Sequence, residues 1–136
     1  MFLNASLAKG LKPLITLCYG NPFYDNGDKP ISAAAVVEGF TRYAEYVVRH
    51  FKGSATMYQV WNEWDNCVGN TTPGTAATYV NLLKAVYPRL KAIDPNLVIV
   101  GGSMSGGAVR GLWFGEMLAA GALSAADVIF DPSIYF

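Results

Sequence analysis

Four short apolar runs, each closed by glycine, proline or a polar pair, limit the folds open to this chain. Leu14-Ile15-Thr16-Leu17-Cys18-Tyr19, Met57 to Trp61, Leu97 to Val100 and Val128 to Phe130 read as strands, short and rich in β-branched residues. Helical spacing fills the intervals. Val36, Val37, Phe40, Tyr43, Ala44, Val47 and Val48 make one apolar face of a helix from Ser32 to about Phe51. Glu38, Arg42, Glu45 and Arg49 lie opposite, spaced to pair along the helix. Thr72-Pro73 suits a second helix start, with Pro88 expected to kink or break it before Ile93. Val109 to Ala120, capped by Gly121, is a third. Strict alternation with buried strands means a parallel sheet with right-handed crossovers.

Two architectures fit: an arc of a (β/α)₈ barrel, or a small open doubly wound sheet. A whole barrel needs about 250 residues, so the 136 present make roughly half of one, a partial barrel spanning residues 1–136. The loops favour the barrel. Neither GxGxxG nor GxxxxGK[ST] occurs, and the glycines of Gly101 to Gly107 read as a tight loop. Polar and aromatic residues gather after the strands instead, at the end where a barrel carries its active site.

The composition narrows the function. Ten acidic and ten basic residues are evenly spread, with no basic stripe for nucleic acid. The apolar runs are broken well before the roughly 18 residues of a membrane span. Cys18 and Cys67 form no CxxC and stand far from His50, the one histidine, so neither a metal site nor another cofactor is expected. Met1 to Gly10 is no signal peptide; it reads as the last turns of a helix with Gly10 as its cap, as in a piece cut from a longer protein.

The second strand runs into Trp61-Asn62-Glu63-Trp64. A carboxylic acid at a strand mouth, beside an amide and aromatic rings, suits acid catalysis on a sugar. Alternation puts Gln59, Trp61 and Glu63 on one side and Tyr58, Val60 and Asn62 on the other, so Asn62 reaches the site of Glu63 only if the strand twists at its end. The competing reading makes Glu63 a loop carboxylate paired with a base. Tyr24 and Trp64, in loops beyond strand ends, suit stacking on sugar rings, with Tyr19 and Asn21 close by in sequence. Phe23 and Trp113 read as packing, and His50 as a surface residue at a helix end.

Trp61-Asn62-Glu63 after an apolar strand resembles the acid/base motif of the retaining (β/α)₈ glycoside hydrolases. Lys12 to Pro22 is similar to the third strand and loop of glycoside hydrolase family 39 and its bacterial relatives. Asp94 to Gly102 resembles the fifth strand there, and Gly121-Ala122-Leu123 with Asp127-Val128-Ile129 the approach to the sixth. The resemblance implies strands three to six of such a barrel and a carbohydrate substrate with β linkages. It implies Glu63 as general acid/base and Asn62 on the 2-hydroxyl of the sugar. The family's nucleophile, a glutamate on the seventh strand, falls outside this chain, although a retaining mechanism needs two carboxyl groups about 5–5.5 Å apart. Among possible substitutes, Asp65 lies in the loop of Glu63, Asp25 and Asp28 read as turn residues, Asp131 precedes a proline, and Glu116 falls on an outer helix face. The family's His-Pro-Tyr after the sixth strand is absent, and Tyr135 holds the place of its tyrosine. Parents of this kind are usually exported, to the periplasm or beyond. The alternatives are a non-catalytic sugar-binding module and a structural half-barrel whose open edges self-associate.

Overall fold

The computed structural model describes residues 2–23, 34–66, 74–102, 104–105 and 112–130. The chain opens with helix α1 (Phe2–Ala8) and strand β1 (Leu14–Leu17). Helix α2 (Ala34–His50), strand β2 (Met57–Val60), helix α3 (Ala76–Ile93) and strand β3 (Val98–Gly102) follow. Helix α4 (Trp113–Ala119), a 3₁₀ turn (Ala122–Ser124) and strand β4 (Val128–Phe130) are the last of the described elements. Gly10 ends α1 as expected. With φ of 73° it lets its own N–H reach Leu7 O and that of Leu11 reach Ser6 O, a left-handed cap that glycine adopts without a Cβ clash.

The four strands form one parallel sheet in the order β1-β2-β3-β4, with Leu17 opposite Val60, Tyr58 opposite Ile99 and Gly101 opposite Ile129. An open doubly wound sheet reverses its strand order at a switch point. Among the described strands the order never reverses. Right-handed crossovers that always step the same way leave every helix on one face. Accordingly α2 packs on α3, and α3 on α4. This is an arc of a (β/α)₈ barrel.

Period-two alternation divides the sheet between its faces. Leu17, Tyr58, Val60 and Ile99 point to the helices and join Phe40, Ala44, Val48, Tyr79, Leu83, Val86, Leu90 and Met117 in the buried core. The opposite face carries Leu14, Thr16, Met57, Gln59, Val98, Val100 and Val128. Its outer members Leu14 and Val128 are 45% and 44% exposed.

Three expectations are corrected here. α3 starts at Ala76 with Thr75 as its cap, the Thr75 hydroxyl accepting from the Thr78 N–H at 3.2 Å; Thr72 and Pro73 lie outside the described residues. α3 also runs through Pro88 to Ile93 without an early break. The buried side chains of Val86 and Leu90 flank the proline and anchor both sides of the lost hydrogen bond. Finally, Glu38 and Glu45 do not pair along α2. Both reach across to Arg89 of α3, at 3.1 and 2.6 Å, so the charges join two helices.

Asp127 ties β4 to its neighbours. Its carboxylate accepts from the Ile99 N–H at 2.8 Å, the Tyr87 hydroxyl at 2.9 Å and the Lys91 ammonium at 3.2 Å. Burial alone would raise its pKa, but these three donors together outweigh burial and hold it below the ordinary value. A carboxyl whose pKa is lowered by folding stabilises the fold above its unfolded pKa, and loses that contribution as pH falls through the folded one. Asp127→Asn is therefore expected to destabilise the chain at pH 7. Urea unfolding should show the gap from wild type narrowing below about pH 4, where the unfolded carboxyl protonates. A gap that stays constant from pH 7 to pH 3 would contradict this assignment.

Candidate active site at the carboxyl ends of the strands

The candidate site begins where β2 stops. Trp61 and Glu63 adopt left-handed backbone, with φ of 64° and 49°. Each such non-glycine residue costs about 1–3 kcal/mol and persists only where its surroundings hold it. Strand alternation therefore does not continue past Val60, which corrects the expected placing of Trp61 on the interior face beneath Glu63. The Trp61 ring turns to the helix layer instead. It is 1% exposed, 5.5 Å from the Phe40 ring and 5.2 Å from that of Trp64. Its indole N–H is buried with no hydrogen-bond partner among the described residues, a desolvation cost of about 1–3 kcal/mol.

Trp64 also departs from expectation. It is 1% exposed and offers no free face for a sugar. Its indole N–H donates to Thr75 O and the Thr78 hydroxyl, both at 3.2 Å, which docks the turn on the first turn of α3. Gly74 makes room for the ring: a Cβ there would stand 2.1 Å from Trp64 Nε1. The Gly74 N–H donates to Trp64 O at 3.0 Å, and Gly74 O accepts from the Trp113 indole at 3.3 Å. Trp113 thus packs as expected. The sequence signal for this lock is a glycine just before a helix cap, which marks a boundary but not a partner.

With both tryptophans buried, the residues left at the rim are Asn62 and Glu63, each half-buried. The Asn62 amide donates to the Tyr19 hydroxyl at 3.4 Å, joining the ends of β1 and β2. Tyr19 is 58% exposed and sets its ring edge-on to Trp61, 5.9 Å between centroids. Glu63 takes no part in the ion pairs of the described residues, against its reading as a carboxylate paired with a base. The Asn66 amide approaches its Oε2 at 3.4 Å. Asp65 is committed elsewhere: its carboxylate accepts from the Ser105 N–H at 2.8 Å and from the Ser105 hydroxyl, tying the β2 and β3 loops.

The structure brings Tyr19, Asn62 and Glu63 to one strand-end region. Asn21 serves its own loop, its side-chain oxygen accepting from the Phe23 N–H at 3.0 Å. Phe23, expected to pack, is 90% exposed. It borders a cleft of about 410 Å³ lined also by Cys18, Tyr19, Val36, Phe40 and Tyr43. Burial raises the pKa of the Cys18 thiol there. Tyr24, Tyr135 and Asp131 lie outside the described residues. Among the described residues no group of three His, Cys, Asp or Glu side chains could hold a metal ion. No described helix is long and apolar enough to cross a membrane.

The fold recurs in known structures. The chain superimposes on a family 39 glycoside hydrolase from the gut symbiont Bacteroides cellulosilyticus WH2 with a TM-score of 0.74 and 29% identity, over 94% of this chain and 26% of that one. The resemblance is to glycoside hydrolases. A monomeric β-xylosidase from Caulobacter crescentus CB15 matches at TM-score 0.68 and 23% identity, over 93% of this chain and 28% of that one. A family 53 catalytic domain from Ignisphaera aggregans matches at 0.62 and 24%, over 94% and 39%. The last two show the shared fold. No protein-family model and no curated protein matches the sequence. The chain spans roughly a quarter to two fifths of the length of these three solved structures.

The lock between Gly74 and Trp64 gives a direct expectation. Gly74→Ala forces the indole from its seat, and overpacking of this kind costs about 1–3 kcal/mol or somewhat more. Denaturant unfolding should show that loss, together with a changed near-ultraviolet tryptophan signal. An unperturbed spectrum with unchanged stability would contradict the close approach.

Proposed function

We propose that this chain is the central arc of a glycoside hydrolase barrel that cleaves β-linked poly- or oligosaccharides with retention, and that Glu63 is its general acid/base. The observation that carries the reading is Glu63 itself: a half-buried carboxyl that enters none of the ion pairs of the described residues, at the carboxyl end of a barrel strand and next to Asn62. The ordered similarity to the family 39 structure supports it.

In the first step Glu63 gives its proton to the glycosidic oxygen as the bond to the leaving group breaks. A second carboxylate, supplied from outside this chain, attacks the anomeric carbon from the opposite face. Glu63, now ionised, then takes a proton from the water that releases the sugar. Asn62 holds the 2-hydroxyl, and Tyr19 steadies Asn62 through the 3.4 Å contact. Asn21, Tyr24 and Tyr135 remain candidates for the walls of the substrate cleft. Trp64 acts beneath the site by holding the turn.

The test is a complete barrel, made by splicing this chain into the Bacteroides cellulosilyticus relative in place of its matched segment. Glu63→Gln should lower kcat/KM by about 10²-fold or more on a β-glycoside with a poor leaving group, and far less on an activated aryl glycoside that needs no protonation. Equal losses on both would remove the acid role. Sugar binding that survives Glu63→Gln, in a barrel that never hydrolyses, would favour a binding module.

The chain by itself should self-associate. The outer edges of β1 and β4 are unpaired among the described strands, and such edges recruit further strands. Sedimentation at increasing concentration is expected to show mass above 14.7 kDa. A strict monomer throughout would count against this.

A further inference from the structure

The backbone that aims Glu63 is held from below by a side chain that never reaches the rim. Tyr79, on the second turn of α3, is fully buried, and its hydroxyl lies between the two central strands. It donates to Val60 O at 2.9 Å and accepts from the Gly102 N–H at 2.9 Å. Val60 is the last residue of β2 and Gly102 the last of β3. At these positions the parallel ladder ends: Gln59 pairs with Val100, whereas Val60 and Gly102 have no described partner in that ladder. A phenolic hydroxyl replaces the next rung.

The neighbouring groups are held in the same way. The Trp61 N–H donates to Leu17 O at 2.9 Å, and Trp61 O accepts from the buried amide of Gln59 at 3.0 Å. Val60 O and the N–H and carbonyl of Trp61, which lead into the turn, are therefore each bonded to a buried or strand-bound partner. Removing one partner leaves a buried polar group unsatisfied and frees the turn to relax toward ordinary strand geometry. Because alternation would then resume, relaxation rotates Asn62 and Glu63 about the strand axis.

We infer that Tyr79 is a positioning residue: through Val60 O and the Gly102 N–H it fixes the left-handed turn that aims Glu63 and Asn62, with Gln59 as its second support. The inference rests on the acid/base reading of Glu63 for its effect on catalysis, and on geometry alone for its effect on the turn. Its hydroxyl remains protonated throughout the working range, since burial raises its pKa against the smaller opposing effect of the Gly102 N–H.

The test compares Tyr79→Phe with Tyr87→Phe, which removes a hydroxyl from the same helix that bonds Asp127, remote from the turn. Two readouts are taken: amide chemical shifts of the 136-residue chain, and kcat/KM of the spliced barrel on poor and activated leaving groups. Tyr79→Phe should displace the resonances of residues 61–64 and lower the poor-leaving-group rate about tenfold more than the aryl rate, because a misplaced acid fails where protonation is needed. Tyr87→Phe should lower both rates equally, as a loss of folded protein does. If Tyr79→Phe leaves residues 61–64 in place, or lowers both rates equally while Glu63→Gln discriminates between them, the inference is overturned. If Glu63→Gln itself does not discriminate, the acid/base reading fails, and the positioning claim is decided by the chemical shifts. Should Tyr79→Phe not fold, Gln59→Met, which removes the donor to Trp61 O at nearly constant volume, carries the same two expectations.

Discussion

Two left-handed residues within three, at Trp61 and Glu63, are the constraint on which the strand end depends. Neither is glycine, and neither would hold that backbone in an isolated peptide. The fold holds it from three sides. Tyr79 and Gln59 fix the carbonyls of Val60 and Trp61 from beneath. Trp64 docks on the start of α3 beyond the turn. Leu17 O takes the Trp61 N–H from the neighbouring strand. The turn sends both indoles into the core and leaves the amide and the carboxyl at the rim.

This arrangement explains why so much aromatic mass lies under a polar site. Phe40, Trp61, Trp64, Tyr79 and Trp113 form a chain of ring contacts with centroids 5.2 to 5.9 Å apart, running from α2 across the end of β2 to α3 and α4. Stiff, large side chains of this kind cannot move independently in a close-packed interior. They couple the positions of the helices to the end of β2. Preorganised support of this sort is what a residue needs if it is to act without reorganising during the reaction.

Much of the fold was legible because it depends on periodicity. The four apolar runs and the helical faces between them predicted each strand within two residues at its ends, and Gly10 and Gly121 marked helix ends because left-handed caps favour glycine. Helix starts were harder to read. Thr75 took the capping role expected of Thr72, since a threonine before a helix marks a region and only the hydrogen bond to Thr78 N marks the residue. The charges of α2 misled for a related reason. Spacing along one helix is visible in sequence, but Arg89 of α3 offers Glu38 and Glu45 a bidentate fork that no α2 arginine provides at this interface.

At the site, the residue types pointed to Asn62 and Glu63, and their setting at a strand mouth followed from the strand before them. The division of labour between the two tryptophans did not follow. Sequence places Trp64 in a loop, where an aromatic ring suits a ligand; only the packed structure shows Gly74 opening a seat for it. The sequence by itself determined the order of strands and helices, because local periodicity and turn chemistry act over a few residues. Tertiary structure alone decided which way Glu63 faces. That direction depends on a tyrosine and a glycine more than ten residues away, brought to the turn by the crossover from β2 to α3.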